Sequence, residues 1–320
     1  MKHLLSIIFV IIFENMISYG QERPFSNQYL LNSSFLNPAM LGTEKPIVKL
    51  IHRQQWHGIN GAPMTSSLFA NTNSGRYTFF GLGLYNDSYG VVRNQAASFT
   101  FAYHSVLERV NNDFQKLSFG LTLKMQMHYF KPQDLVFHDE NDLSIMNFYD
   151  KKEFLPDADA GIHYYNSRFY TGLVAGGLLL PYFPHTDYWG KEIYGYGYVG
   201  FKKPLNKNLS LETMILVKKT ETSPTKLETS MKFIMQKTFF IAGSYRLHIP
   251  LSPKTYDCFQ LLVGGLAMNK LHLAYVFEFS LAKIYFKSLG THEFMIAWNL
   301  PERGGRGWRP GRGHGCPAYK

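Results

Sequence analysis

Residues 117–129 read LSFGLTLKMQMHY. Leu117, Phe119, Leu121, Leu123, Met125, Met127 and Tyr129 take the odd positions; Ser118, Gly120, Thr122, Lys124, Gln126 and His128 take the even ones. A period of two belongs to a strand with one apolar face, because a helix turning about 100° per residue would scatter these groups around its axis. The run is longer than the roughly five or six residues usual in soluble sheets, and it suits a tilted strand crossing a bilayer. The alternation recurs in Ala97-Phe99-Phe101-Tyr103, Leu209-Leu211-Thr213-Ile215-Val217, Leu227-Thr229-Met231-Phe233-Met235 and Leu271-Leu273-Tyr275-Phe277-Phe279. It closes with His292, Phe294, Ile296, Trp298 and Leu300.

Segments of this kind predict roughly 14 strands, an even number as bacterial barrels require. They begin near Pro46, Met64, Tyr77, Asn94, Gln115, Asp157, Arg168, Ile193, Lys207, Thr225, Lys237, Tyr256, Leu271 and Thr291. Every second link is tight (NTNSGR, LERVNND, NSR, KPLNK, QK, MNK), and the alternate links run longer, notably 131–156 and 180–192. Short periplasmic turns opposite longer extracellular loops are the layout of an outer-membrane barrel. The fold class expected is therefore all-β, a single transmembrane antiparallel β-barrel. Lys124, His128, Glu212, Lys218, Glu228, Lys232, His272 and Glu278 fall on the other face of these strands. They belong in the lumen, since Arg or Lys facing mid-membrane lipid costs about 2–4 kcal/mol. A salt-bridged interior and a selective channel lining both fit.

The N-terminus explains how such a chain reaches an outer membrane. Lys2 and His3 precede an apolar run over residues 4–13, and Ser18-Tyr19-Gly20 supplies small residues ahead of Gln21. This is a cleavable signal peptide, far short of the roughly 20 residues a spanning helix needs. The most apolar later window, 173–180, contains two glycines and stops at Pro181. Aromatic residues reach 16%, which outward aromatic girdles account for. The expected layout is a signal peptide over 1–20, a periplasmic segment over 21–45, the barrel over 46–300 and a basic Gly/Arg-rich periplasmic tail over 301–320.

Charge and chemistry change this picture little. There is no GxSxG, HExxH or CxxC, so no catalytic residue, cofactor site or metal site is assigned. The tail PERGGRGWRPGRGHGCPAYK spaces Arg303, Arg306, Arg309 and Arg312 around Trp308. In the cytosol such a tract points to RNA; behind a signal peptide it points away from nucleic acid. Lipid headgroups, an acidic protein surface or a cell-wall polymer are its candidate contacts, and part of the net charge of +10 resides there. Cys258 and Cys316 enter an oxidising envelope. A bridge requires the tail to thread the lumen, which its length permits at roughly 3.3 Å per residue, and the pairing stays open.

One constellation carries more information. Gln28-Tyr29 is followed by NPAMLG from Asn37 through Pro38 and Ala39 to Gly42. Then come Arg53, Gln55 and Trp56 within RQQW, Gly58, and Pro63-Met64-Thr65. Asn37-Pro38 starts a turn, because Asn caps it and Pro fixes φ. Arg53 at the upper end of the first strand is placed to meet a lumen acid, and Trp56 suits the membrane interface. In order and spacing these motifs resemble the PorP/SprF family of outer-membrane proteins associated with type IX secretion in Bacteroidetes. The resemblance implies a single barrel over essentially the mature chain and a non-enzymatic role. It also implies partners: a secreted protein bearing a type IX C-terminal domain, including large surface adhesins of gliding cells, or components of the secretion machinery, with outer-membrane lipid around the barrel. The motif residues are then a structural lock or a partner contact. A passive porin and an outer-membrane hydrolase are the alternative readings.

Overall fold

The computed structural model describes residues 29, 33–110, 113–130, 152–183, 193–221, 223–249, 258–268, 270–281 and 287–301. The expected signal peptide, Gln28, Cys316 and the tail residues Arg303, Arg306, Trp308, Arg309 and Arg312 lie outside them. The strands are β1 (Ile47–Gln54), β2 (Met64–Asn73), β3 (Thr78–Tyr89), β4 (Val92–Val110), β5 (Asp113–Phe130), β6 (Lys152–Tyr165) and β7 (Phe169–Gly176). They continue as β8 (Tyr194–Pro204), β9 (Leu209–Thr220), β10 (Thr225–Met235), β11 (Phe239–Ile249), β12 (Cys258–Ala267), β13 (Leu271–Ser280) and β14 (Thr291–Asn299). All 14 pair in sequence order into a closed barrel. The ring shuts where β1 meets β14, antiparallel and in register from Ile47 opposite Asn299 to Gln54 opposite His292. No described helix is long and apolar enough to cross a membrane.

Each strand sorts its residues by parity. Along β5, Phe119, Leu121, Leu123 and Met125 are exposed, while Ser118, Thr122, Gln126 and His128 are buried. A soluble protein does the reverse. The outward apolar belt continues through Leu50, Leu82, Leu84, Phe99, Ile215, Phe294, Ile296 and Trp298, a surface that only lipid covers without loss. Inward go Lys49, Arg53, Glu212, Lys218, Glu228, Arg246, Glu278 and Glu293. Lys124 pairs inside with Asp157 at 2.9 Å and Asp159 at 2.7 Å.

The two ends of the barrel differ as the links predict. Residues 74–77, 166–168, 205–208, 236–238 and 268–270 join strands tightly at the end where β1 starts. The hairpin of β10 and β11 turns on Gln236 and Lys237, with φ of 50° and 59°. The opposite end carries the longer links, with two exceptions, the tight 90–91 hairpin at Gly90 and the 221–224 link between β9 and β10.

Two features depart from the sequence reading. Residues 152–156, expected in a loop, are strand: Tyr129 pairs Lys152 and Met125 pairs Pro156. Proline is tolerated there because β7 pairs β6 only from Ala160 onward, so the missing N–H faces no neighbour. The second departure is larger. The segment just ahead of β1, assigned above to a region preceding the barrel, is folded inside it. Ser33–Leu36 forms one helical turn, Pro38–Met40 a 3-10 turn, and Asn37, Ala39 and Leu41 are fully buried against the inner wall.

The parity assignment has a direct test. Leu121→Arg places a cation in the outer belt and should destabilise the barrel by about 2–4 kcal/mol. Thr122→Arg, one residue along and facing the lumen, should instead disturb the interior packing. Urea unfolding in bilayers of each variant reads the first effect, and an unchanged midpoint for Leu121→Arg would reverse the faces.

Candidate functional site

The inserted segment is held by residues spread around the ring. Asn37 is extended (φ −146°), and its Oδ1 accepts a hydrogen bond of 2.8 Å from the Ala39 amide. Proline at the first position of the turn loses nothing, because that amide would have no partner there. The Asn37 Nδ2 donates to the Tyr198 hydroxyl at 2.9 Å and to the Ile162 carbonyl at 3.0 Å. One amide side chain thus caps its own turn and ties it to β6 and β8.

The wall beneath that turn is shaped to receive it. Gly120 and Gly161 stand directly opposite each other across the β5–β6 ladder. A Cβ on Gly161 would lie 2.0 Å from Asn37 Oδ1, and one on Gly120 would lie 2.2 Å from the Ala39 amide nitrogen. Any side chain at either position would push the turn off the wall. The two glycines form a bare pad, and Asn37-Pro38-Ala39 sits on it.

Further contacts fix the rest of the segment. His104 on β4 donates from Nε2 to the Leu41 carbonyl at 2.7 Å; a carbonyl only accepts, so that nitrogen carries the hydrogen. Gly42 turns the chain with φ +85°. Glu44 then meets Lys49 of β1 and accepts from the Ser33 hydroxyl at 2.9 Å. Residues 37–44 thus follow the inner wall from β8 and β6 past β5, β4 and β3 to β1, half of the way round the ring. Leu36 and Met40 pack with Tyr29, Tyr165, Tyr170, Tyr198, Met214 and Leu216, while Leu41 packs with Phe69 and Ala102.

Tyr29 leads into a buried ionic chain. Its hydroxyl donates to Glu228, and Glu228 accepts from Arg246 Nε at 2.7 Å. Arg246 also faces Glu278 at 3.7 Å. Glu278 faces Arg53 at 3.3 Å, and Arg53 lies 3.7 Å from Glu293 and donates to Gln55 Oε1 at 2.9 Å. Burial first, and the Glu228 carboxylate second, hold the Tyr29 phenol well above its ordinary value, which keeps it a donor. Tyr29 and Arg53, far apart in sequence, are thereby joined through the wall.

The other motif residues serve the outer hairpin. Trp56 lies beyond β1, in the left-handed region at φ 48°, and its amide donates to Thr291 Oγ1 at 3.2 Å. Gly58 and Gly61 also have positive φ, the Gln55 amide donates to the Pro63 carbonyl at 2.9 Å, and Gly61 accepts from the Gly90 amide at 2.8 Å. Thr65 is buried and donates to Asp87 at 2.6 Å. Sequence reasoning singled out neither the Gly120–Gly161 pad nor Tyr198, Arg246 and Glu293. Inward parity was the available signal for the charged ones. Cys258 is a buried thiol at the loop end of β12. Among the described residues no group of His, Cys, Asp and Glu is arranged to hold a metal.

The sequence profile of the family described as type IX secretion system membrane protein PorP/SprF matches residues 18–298. No curated protein sequence matches the chain. Among solved structures, the outer membrane protein Omp33 of Acinetobacter baumannii is similar at TM-score 0.47 and 5% identity, over 81% of this chain and 100% of that one. CdiB from Acinetobacter baumannii gives 0.44 and 10%, over 79% and 59%. A KdgM porin gives 0.39 and 6%, over 80% and 99%.

Two outcomes follow from the geometry. Gly161→Ala should displace the turn at a cost of about 1–3 kcal/mol, and Asn37→Ala should cost about 0.5–2 kcal/mol through the lost cap. Chymotrypsin should then cut at Phe35 in both variants and spare the wild type, with the barrel's heat-modifiable gel mobility retained. The second outcome concerns pH. Burial pushes the Glu44 carboxyl up, but the Lys49 ammonium and Ser33 hydroxyl outweigh it and hold the group below its ordinary 4.5. A lowered folded value means that the contact contributes fully above pH 4.5 and is lost as the pH falls through the folded value. Pepsin cleavage of the segment should begin only in that acid window, and Glu44→Gln should abolish the step.

Proposed function

Because this chain belongs to the type IX secretion system membrane proteins of the PorP/SprF family, we propose that its outer-membrane barrel serves that machinery as a docking platform. It binds a secreted partner or a component of the translocon and aids secretion or surface attachment. It is not a conduit, and it works without catalysis. The partner class is an exported protein with a type IX C-terminal domain, such as a large adhesin of gliding cells.

The observation that carries this reading is the N-terminal segment packed inside the barrel. A passive pore needs an open aqueous path, whereas here residues 37–44 line the inner wall from β8 round to β1 and take up space in the lumen. With the interior occupied, the surfaces left for a partner are the ends of the barrel. Tight turns face the periplasm in barrels of this kind. On this rule we assign both mature termini, and with them the basic tail, to the periplasmic side, and the hairpin bearing Trp56 to the outer side.

Pull-down from native membranes and single-channel recording test the reading together. The wild type should recover an exported protein or secretion component and show no large steady conductance in planar bilayers. The Gly120→Ala/Gly161→Ala variant should conduct. Steady conductance by the wild type would favour the porin, and recovery of neither partner class would sink the docking role.

A further inference from the structure

We propose that a groove on the outer face of β8–β12 seats one anionic diacyl phospholipid, with its headgroup held by lysines of the adjoining tight turns. The groove has a volume of about 710 Å³ and is bordered by Phe201, Thr213, Thr229, Met231, Gly243 and Phe259. Here Gly243 leaves a gap in the lipid-facing belt: an added Cβ would touch nothing nearer than the Phe259 ring at 3.6 Å. In register, Thr213, Met231, Gly243 and Leu261 form one outward row across β9–β12. The groove lies along this row and its neighbours, at the depth where acyl chains run.

The charge sits where a headgroup belongs. One row closer to the tight turns, Lys203 is opposite Leu211, which is opposite Phe233, which in turn is opposite Ile241. Beyond it come Lys207 and Lys237, in two turns joined by a hydrogen bond of 2.7 Å from the Gln236 amide to the Asn208 carbonyl. Neither stretch 199–210 nor 231–243 contains an acidic residue. The nearest acid in sequence, Glu212, faces the lumen and is buried. Three cations above no acid attract an anion, and each lysine near an anionic membrane surface is worth about 1 kcal/mol. An acidic protein would satisfy the lysines and leave the apolar groove empty, while a neutral lipid would do the opposite. A phosphate ester carrying acyl chains satisfies both. The site is independent of the partner proposed above, since it faces the membrane rather than either end.

Native mass spectrometry of the full chain in detergent, with phosphatidylglycerol and phosphatidylcholine added in equal amounts, tests the assignment. The wild type should retain phosphatidylglycerol preferentially. Lys203→Gln/Lys207→Gln/Lys237→Gln should lower its retention by about fivefold per lysine removed and leave phosphatidylcholine unchanged. Gly243→Leu, which fills the groove, should lower retention of both. Heat-modifiable gel mobility identifies any variant that fails to fold, and the wild-type preference is decisive without variants. Equal retention of the two lipids by the wild type, or an undiminished preference in the folded triple variant, would overturn the proposal.

Discussion

A backbone in hydrocarbon has no water to bond, so every amide and carbonyl must find its partner within the sheet. The β1–β14 ladder meets that condition, because it removes the last two edges of the ring. Everything else follows from closure. Once the sheet is a cylinder, each strand has one face in lipid and one in a confined interior, and parity along the strand decides which residue goes where. A one-residue slip of any strand would exchange the two sets. On β1 such a slip would bring Lys49 and Arg53 into the lipid and Leu50 into the lumen.

Confinement then creates a problem of its own. The inner wall gathers Arg53, Arg246, Glu228, Glu278 and Glu293 into a space where water is scarce. Taking such charges out of water costs several kcal/mol per ion, repaid only where geometry and hydrogen bonding are good. Three carboxylates and two guanidinium groups sum to one excess negative charge, and Tyr29 and Gln260 contribute neutral donors to Glu228 and Glu278. The N-terminal segment is thus part of the interior's electrostatics as well as a filler of its volume. Breaking such a network by removing one partner typically costs about 3–5 kcal/mol, because a buried charge is left behind.

The fold was legible because period-two alternation is a local property: residues 117–129 announce their two faces without reference to any other strand. The lumen charges were legible for the same reason. What the sequence hid was assembly in three dimensions. Asn37-Pro38 reads correctly as a capped turn, yet nothing local says that the turn lies inside a cylinder formed by strands that follow it. Gly120 and Gly161 look like ordinary strand glycines until register sets them face to face. Likewise His104, alone on its strand in sequence, meets the Leu41 carbonyl only after the segment has entered. Trp56 suits a membrane interface by its chemistry, but nothing local in the sequence announces the left-handed position it takes just past the end of β1.

This arrangement changes what the N-terminal fingerprint means. Asn37 and Ala39 have 0% exposure, and Arg53 and Thr65 have 2% and 1%. Asn37 and Ala39 touch a partner only if the segment first leaves the lumen, and Arg53 and Thr65 face inward from β1 and β2. Spacing along this segment is constrained instead by the path round the inner wall: Gly42 to Lys49 must carry the chain from the pad to β1, and Tyr29 must reach Glu228 at the other end. The part of the fingerprint from Tyr29 to Gly42 therefore fastens a segment inside its own barrel, and the part from Gln55 to Thr65 holds the outer hairpin. Under the docking role proposed above, recognition of another protein would fall to surfaces that the fastening leaves free, namely the loops at one end and the basic turns at the other. Those surfaces can differ between barrels of identical interior without disturbing the lock.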